Sequence, residues 1–398
     1  MRRITVLLAL LLLAGACGGG GSSAPPRSTT DPTSAPSVTI PLGPVRWETH
    51  TGEVPELDDV RSLGRIEDGS FLLVAGDRLW SLDGTRWTER AGPNEIPGQL
   101  AACSSGVDIF VLHEDVTDVW ESPLFQPARV STLIDGRWTP VEAPVRLVTA
   151  IGCTRDVVVL GYLEAGPGIE DAWSIEDAWQ YFRGNGIAIF DGSSWDTVDL
   201  ESGNIVALAA GRNGDVWVGA EAGVTRCLGS ECGRIEAPLA YSSSLVTSVA
   251  VASSGDVWIT VSDGVAHFDG RRWNEHYMNT EEWPDVERVV FIDPLGEVLE
   301  PQPDRLRPVG VTVAPDGSVW VVTEGGGLLQ YDGDRWVVHS PEMGMHRAAH
   351  IVAAAADGSV WLALRDVGLY RFVPGTGANP PGGPTEYQIP SEEEEEGA

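Results

Sequence analysis

Apolar residues recur along the chain in short, strand-length runs that end in glycine-containing turns. Four such runs align without gaps: NGDVWVGA from Asn213, SGDVWITV from Ser254, DGSVWVVT from Asp316 and DGSVWLAL from Asp357. Trp217 and Trp258 are 41 residues apart, and so are Trp320 and Trp361. A second signature follows each first one. It reads LDGTRW from Leu82, FDGSSW from Phe190, FDGRRW from Phe268 and YDGDRW from Tyr331, with a shorter IDGRW from Ile134. Asp-Gly between apolar runs is a strong hairpin signal. The predicted unit is therefore strand a, tight turn, strand b, gap, strand c, Asp-Gly turn, strand d.

A four-stranded unit of about 40 residues, repeated, predicts an all-β fold of the β-propeller kind. Seven a-b-c units start near Arg61, Gln99, Leu147, Asn204, Leu245, Pro308 and Ile351. Seven four-stranded blades are expected, with six or eight as alternatives. Phe71, Phe110 and Val158 or Val159 stand near the strand-b tryptophan position in the three degenerate first units. RWETHT from Arg46 matches RWVVHS from Arg335, so the N-terminal segment is expected to close the ring as the outer strand of the last blade. TEYQIP from Thr385 competes for that place. VVFIDPLGEVLE from Val289 reads as an inserted hairpin or a remnant blade.

The pattern from Asp316 to Trp336 (DG-x-VW, then GG-L-x-x-Y-DG-x-x-W) resembles the two-component-regulator propeller repeat. It covers the last four units well and the first three by register. The resemblance implies a seven-bladed propeller that binds an extracytoplasmic ligand. This chain shows no kinase or DNA-binding segment, so only architecture and a binding tendency carry over.

Antiparallel parity sets the two ends of the disc apart. The a–b and c–d turns fall on one end, and the b–c and d–a loops fall on the other. Three long insertions belong to the second set: 113–129, 164–185 and 274–307. Ten of the 15 tryptophans occupy the two repeat positions, and Trp80 lies on a strand c. Trp120, Trp173, Trp179 and Trp283 all fall in the insertions. The second insertion contains a doubled hexad, IEDAWSIEDAWQYF from Ile169. The candidate ligand- or partner-binding residues are Trp120, Phe125, Trp173, Trp179, Tyr181, Phe182 and Trp283, with Glu170, Asp171, Glu176 and Asp177. Aromatic planes beside carboxylates suit a sugar or a cationic group. The competing reading is a short amphipathic helix packing Ile175, Trp179 and Phe182 on the blade tops.

Composition narrows the setting. Net charge is −32, and the 26 basic residues are all arginine, which argues against nucleic acid as a partner. The start, MRRITVLLALLLLAGAC, has two arginines, an apolar run and small residues before Cys17. It resembles the bacterial lipoprotein signal, which implies lipidation of Cys17 and attachment to the membrane through that anchor alone. The expected organisation is signal peptide 1–16, flexible tether 17–44, propeller 45–390 and acidic tail 391–398. Cys227 and Cys232 stand where neighbouring units carry an aromatic pair across the c–d turn, so a disulfide is expected there, worth roughly 2 kcal/mol. Cys103 and Cys153 can form a second, between blades. A Cys-x4-Cys metal site is the alternative for Cys227 and Cys232.

Chemistry is sparse. No GxSxG, HExxH or phosphate-binding glycine loop occurs. His346 and His350 are four apart, a spacing that on a helix could share a metal. His113, Glu114, His276, His346 and His350 could supply a histidine and carboxylate centre at the channel mouth. The reading is an exported, lipid-anchored, non-catalytic binding module without metal or cofactor. A propeller lyase or hydrolase is its alternative.

Overall fold

The computed structural model describes residues 46–49, 60–65, 71–75, 78–83, 86–90, 99–105, 108–113, 129–134, 137–145, 147–154, 156–165, 182–200, 202–211, 214–235, 245–261, 264–277, 289–292, 298–299, 307–323, 328–331, 333, 336–339, 349–355, 357–364 and 368–374. The chain divides into two compact units, Met1–Ala35 and Pro36–Ala398, and every described residue lies in the second.

The first strand, β1 (Arg46–Thr49), precedes a series of four-stranded meanders. Sheet 1 holds β2 (Val60–Arg65), β3 (Phe71–Ala75), β4 (Arg78–Asp83) and β5 (Arg86–Arg90). Sheet 2 holds β6 (Gln99–Ser105), β7 (Asp108–His113), β8 (Arg129–Ile134) and β9 (Arg137–Glu142). Sheet 3 holds β10 (Leu147–Cys153), β11 (Val158–Ala165), β12 (Phe182–Phe190) and β13 (Trp195–Leu200). Sheet 4 holds β14 (Ile205–Ala210), β15 (Asp215–Ala220), β16 (Gly223–Leu228) and β17 (Glu231–Ile235). Sheet 5 holds β18 (Val246–Val251), β19 (Val257–Val261), β20 (Gly264–Phe268) and β21 (Trp273–Tyr277). A short hairpin, β22 (Val289–Ile292) and β23 (Val298–Leu299), precedes β24 (Pro308–Val313), β25 (Val319–Thr323), β26 (Leu328–Tyr331) and β27 (Trp336–His339). Sheet 7 holds β28 (Ala349–Ala354), β29 (Val360–Leu364) and β30 (Gly368–Val373), with β1 as its fourth strand.

The fold is an all-β propeller with six four-stranded blades and one six-stranded sheet, ordered β23-β22-β27-β26-β25-β24. The first strand of each meander is innermost. These inner strands contact one another in sequence, β2 to β6, β10, β14, β18, β24 and β28, and β28 returns to β2. The N-terminal strand closes the ring, with Arg46 opposite Val373 and Thr49 opposite Tyr370. The segment from Val289 is a hairpin added to the outer edge of the β24–β27 meander (sheet 6), where β22 runs parallel to β27. It is not a remnant blade.

The sequence pattern follows from this stacking. Each strand b lies between two neighbouring sheets, so both of its faces are covered. Strands β3, β19, β25 and β29 are buried at every position and read as continuous apolar runs. Outer strands have a solvent side, and β9 has four exposed residues, two half-buried ones and none fully buried.

One contact repeats around the ring. In each sheet, strands c and d present a cross-strand pair: Leu82–Trp87, Leu133–Trp138, Phe190–Trp195, Cys227–Cys232, Phe268–Trp273, Tyr331–Trp336 and Phe372–Trp47. The strand-b residue of the preceding sheet packs against it. Trp361 meets Trp87 edge-on at 5.5 Å, Phe110 meets Phe190 at 6.4 Å, Trp217 meets Phe268 at 5.9 Å, Trp258 meets Tyr331 at 5.4 Å and Trp320 meets Phe372 at 5.3 Å. Leu72 packs with Leu133 and Trp138. The first sheet therefore uses Leu72 for this contact. The expected Phe71 faces the other way, toward Trp361 at 6.3 Å.

Sheet 4 departs from the pattern as a matched set. Cys227 and Cys232 form a disulfide in place of the aromatic pair, with Cα atoms 4.0 Å apart. The facing residue from sheet 3 is Val159, fully buried in the same cluster. Cross-link and small side chain thus replace three aromatic positions together. Cys103 and Cys153 also pair, joining inner strands β6 and β10 across two sheets at a Cα separation of 5.7 Å. That distance lies within ordinary disulfide reach.

Candidate binding end

Within each sheet the strands alternate in direction, so every a–b and c–d turn leaves from one end of the disc. Those described are short, and an aspartate, serine or threonine side chain caps several of them. Asp316 Oδ1 accepts from the Ser318 amide at 2.9 Å and its hydroxyl at 2.7 Å, and Asp357 repeats the arrangement with Ser359. Asp191 accepts from the amides of Ser193 and Ser194, both at 2.8 Å. Those bonds hold the exposed Asp191 carboxyl near pKa 2. Gly192, at φ 92°, has nothing within 4 Å of where a Cβ would stand. Backbone conformation, and not crowding, requires glycine there.

The long segments leave from the other end. His113 pairs with Arg129 where the first insertion departs, and Ala165 pairs with Phe182 at the second. The third connects the outer strand of sheet 5 to sheet 6. Trp120, Phe125, Trp173, Trp179, Tyr181, Trp283, Glu170, Asp171, Glu176 and Asp177 lie outside the described residues, as do Cys17, Glu114 and His346. Phe182 opens β12, and only its backbone is described.

Sheet 3 is built up toward this end. Strands β11 and β12 run longer than their counterparts, with eight and nine residues. Tyr162 crosses over Gly186 to donate its hydroxyl to Asp199 Oδ1 at 3.2 Å. A Cβ on Gly186 would stand 2.6 Å from that hydroxyl oxygen and 2.4 Å from the Val198 carbonyl. Burial, and then the Asp199 carboxylate, push the Tyr162 phenol up to about 12. Nearby, Asn185 Oδ1 accepts from the Ser202 hydroxyl at 3.1 Å, tying sheet 3 to the loop before sheet 4.

All seven inner strands carry a bulge near this end, after the first residue in six of them and after the second in β10. The register shifts at Val60/Ser62, Gln99/Ala101, Val148/Ala150, Ile205/Ala207, Val246/Ser248, Pro308/Gly310 and Ala349/Ile351. The inserted residues are Arg61, Leu100, Thr149, Val206, Thr247, Val309 and His350. The repeat leaves no signature motif for this feature, because the inserted residue ranges over arginine, leucine, threonine, valine and histidine.

His276 and His350, the two candidates whose side chains are described, lie on different strands of different sheets. His350 lies on strand β28, so the helical spacing that would pair it with His346 does not apply, and its Nε2 bonds the Val60 carbonyl at 2.9 Å. His276 lies on outer strand β21, packed between Trp258 and Tyr331 at 5.8 and 5.0 Å. His113 ends strand β7. The inner strands contain no aspartate or glutamate. Among the described residues no group of three or more His, Cys, Asp or Glu is placed to hold a metal. The metal alternative for Cys227 and Cys232 gives way to their disulfide.

Sequence reading missed the polar partners of the strand-b tryptophans. Trp217 donates its indole N–H to the buried Asp215 at 3.2 Å, while Arg226 bonds the same carboxylate at 2.7 Å and lies 5.5 Å over the ring. In sheet 7, Arg371 lies over Trp361 at 5.7 Å and pairs with Asp357. Burial raises the Asp357 carboxyl, but Ser359 and Arg371 outweigh it and hold the group below its usual range. In sheet 5, His267 stacks on Trp258 at 4.3 Å, and burial lowers its pKa although Asp256 opposes the change. The signal was an acid or serine two residues before each tryptophan and a cationic or polar residue nine or ten after it. Each cationic or polar partner is the cross-strand neighbour of its tryptophan within one sheet.

Comparison with known proteins bears on the fold. No family model matches the chain, and no curated protein matches it. Solved propellers do. The virginiamycin B lyase of Staphylococcus aureus superposes with a TM-score of 0.54 at 9% identity, over 83% of this chain and 98% of that one. The extracellular domain of a hybrid two-component system, BT4673 of B. thetaiotaomicron, gives 0.54 at 13% identity over 82% of this chain and 39% of that one. YCF48 bound to D1 peptide gives 0.53 at 12% identity over 87% and 100%.

Proposed function

We propose that this chain is an exported, lipid-anchored propeller of seven blades, counting the six-stranded sheet as one, that binds a ligand or protein outside the cytoplasm without catalysis. The binding surface is the end of the disc that carries the three insertions, with Trp120, Trp173, Trp179 and Trp283 among its contact residues. The observation that carries this reading is the asymmetry of the two ends. All three insertions depart where strands b and d finish, and the opposite end carries the a–b and c–d turns. Loops on a rigid scaffold are the usual place for recognition. Strand β1 starts at Arg46, opposite Val373, at the turn end.

Two disulfides support an oxidising compartment. Of the structural neighbours, BT4673 is an extracellular domain and YCF48 holds a peptide, and both fit a binding role for the propeller here. A lyase reading would draw on the virginiamycin B lyase likeness. It lacks a carboxylate on the inner strands, so the acid would have to come from the loops.

The test is a glycan and peptide screen on the full chain, followed by hydrogen exchange with the strongest hit. The reading expects protection in 114–128, 166–181 and 278–306. Protection confined to the Asp-Gly turns would overturn it.

A further inference from the structure

One position in the repeat divides the ring into two arcs. It lies on the outer strand, three residues after the tryptophan or cysteine of the cross-strand pair. In sheets 2, 3 and 4 it holds Val141, Val198 and Ile235, opposite Val130, Ile187 and Val224. Each of the three packs on an apolar cluster that two neighbouring sheets share. Both disulfides lie in this arc. Cys103–Cys153 joins sheets 2 and 3, and Cys227–Cys232 belongs to the cluster between sheets 3 and 4. In sheets 5 and 6 the same position holds His276 and His339, opposite Val265 and Leu328. By sequence, His50 continues the series three residues after Trp47, outside the described residues. Arg90 takes the position in sheet 1.

The two imidazoles are built into the joints between sheets. His276 packs on Trp258 of its own sheet, and on Tyr331 and Trp336 of the next at 5.0 and 5.7 Å. His267 stacks on the same Trp258 indole. His339 is sealed between Trp320 of its own sheet and Phe372 of sheet 7. The ionisable groups described around the first joint are Asp256, 3.5 Å from His267 Nε2, and Asp269, which pairs with Arg272 at 3.5 Å. The Tyr331 phenol packs there too and donates to the Gly333 carbonyl, and Glu275 is exposed beside His276. Around the second joint the half-buried Tyr370 lies in the cluster of Trp320 and Phe372. Burial outweighs Asp256 in lowering the His267 pKa, and burial holds His339 at about 3.

We infer that the arc from sheet 5 to sheet 7 is an acid-sensitive hinge of the ring: protonation of His276 and His339 parts sheets 5, 6 and 7 while sheets 2 to 4 stay packed. The third insertion enters sheet 6 from the outer strand of sheet 5, so its base lies in that arc. The inference goes beyond the binding reading and uses none of its contact residues. Its sign follows from where the proton goes. An opened joint exposes an imidazole of ordinary pKa, which takes up a proton that the packed joint refuses, so falling pH favours the opened form. Between pH 7.5 and 5, His339 alone shifts the opening equilibrium of its joint by about thirtyfold.

The experiment follows hydrogen exchange of the full chain in detergent at pH 7.5 and pH 5, expressed as protection factors so that the intrinsic pH dependence of exchange drops out. Protection in β25–β27 and β29–β30 is expected to fall about thirtyfold, and in β7–β17 by less than about threefold. His339→Val, which installs the residue that sheets 2 and 3 carry at this position, is expected to remove most of the fall at the joint of sheets 6 and 7 and to leave the fall in sheet 5. A fall of the same size in all seven sheets, a fall centred on sheets 2 to 4, or no fall overturns the hinge, as does an undiminished fall in the valine variant. Should that variant not fold, the wild-type profile decides by itself.

Discussion

His339 makes the stability of the ring depend on pH in a calculable way. It lies on β27, fully buried, stacked on Trp320 at 5.5 Å and tilted against Phe372 at 4.6 Å. Its Nε2–H donates to Gln330 Oε1 at 3.1 Å. Burial holds its pKa down at about 3, against an ordinary value of 6.5. The folded protein therefore keeps the ring neutral over a range in which the unfolded chain takes up a proton. The contribution is complete above pH 6.5 and declines as pH falls below it, by about 1.4 kcal/mol per unit, until about pH 3. Between pH 7.5 and 5 the loss is about 2 kcal/mol, or about 3 °C in the midpoint for a chain of this size. His267 has the same sign, so the readout is a difference between proteins. Denaturant unfolding of the wild type and of His339→Phe is compared across pH 5 to 7.5. The variant is expected to lose the steep part of the slope, narrowing its deficit by about 2 kcal/mol at pH 5. Parallel curves would refute the reasoning and mean that His339 takes up its proton in place.

Other expectations follow from single contacts. Gly186→Ala drives a methyl into the Val198 carbonyl and is expected to cost about 2–3 kcal/mol in chemical unfolding, whereas Gly192→Ala meets nothing and costs about 1 kcal/mol through its φ alone. A chain lacking residues 1–50 loses β1 and is expected to exchange the β30 amides faster and to melt lower than one lacking residues 1–44; equal protection would mean that Trp47 does not close the ring. Cys17→Ser is expected to leave the protein unprocessed or to release it from membranes, and equal retention in the membrane fraction would remove the lipid anchor.

Much of the architecture was legible because each unit repeats the same physical demand. Strand b must be apolar on both faces, and the tight turn needs Asp-Gly, so DGSVW recurs where the backbone recurs. The N-terminal closure was legible because Trp47 had to complete the pair that Trp336 completes one sheet earlier. Val159 was ambiguous for a physical reason. Its partner is a disulfide, so no aromatic residue marked its register. Leu72 escaped because an apolar residue of any shape can face Leu133 and Trp138, and the neighbouring Phe71 was the more conspicuous. The ring of bulges was invisible, since a bulge inserts one residue without constraining its type. The candidate aromatic residues were found through parity, which depends only on strand order. Their own positions lie outside the described residues.

The measurement closest to the central claim is the behaviour of the Trp173→Ala, Trp179→Ala double variant. Its affinity for the strongest screened ligand and its thermal midpoint are read on the same preparation. An interface role predicts that binding is lost, by at least about tenfold, while the midpoint moves by no more than about 1 °C. Unchanged binding together with a fall of many degrees would contradict it, because the doubled hexad would then be core packing and the insertion end would have lost its recognition residues.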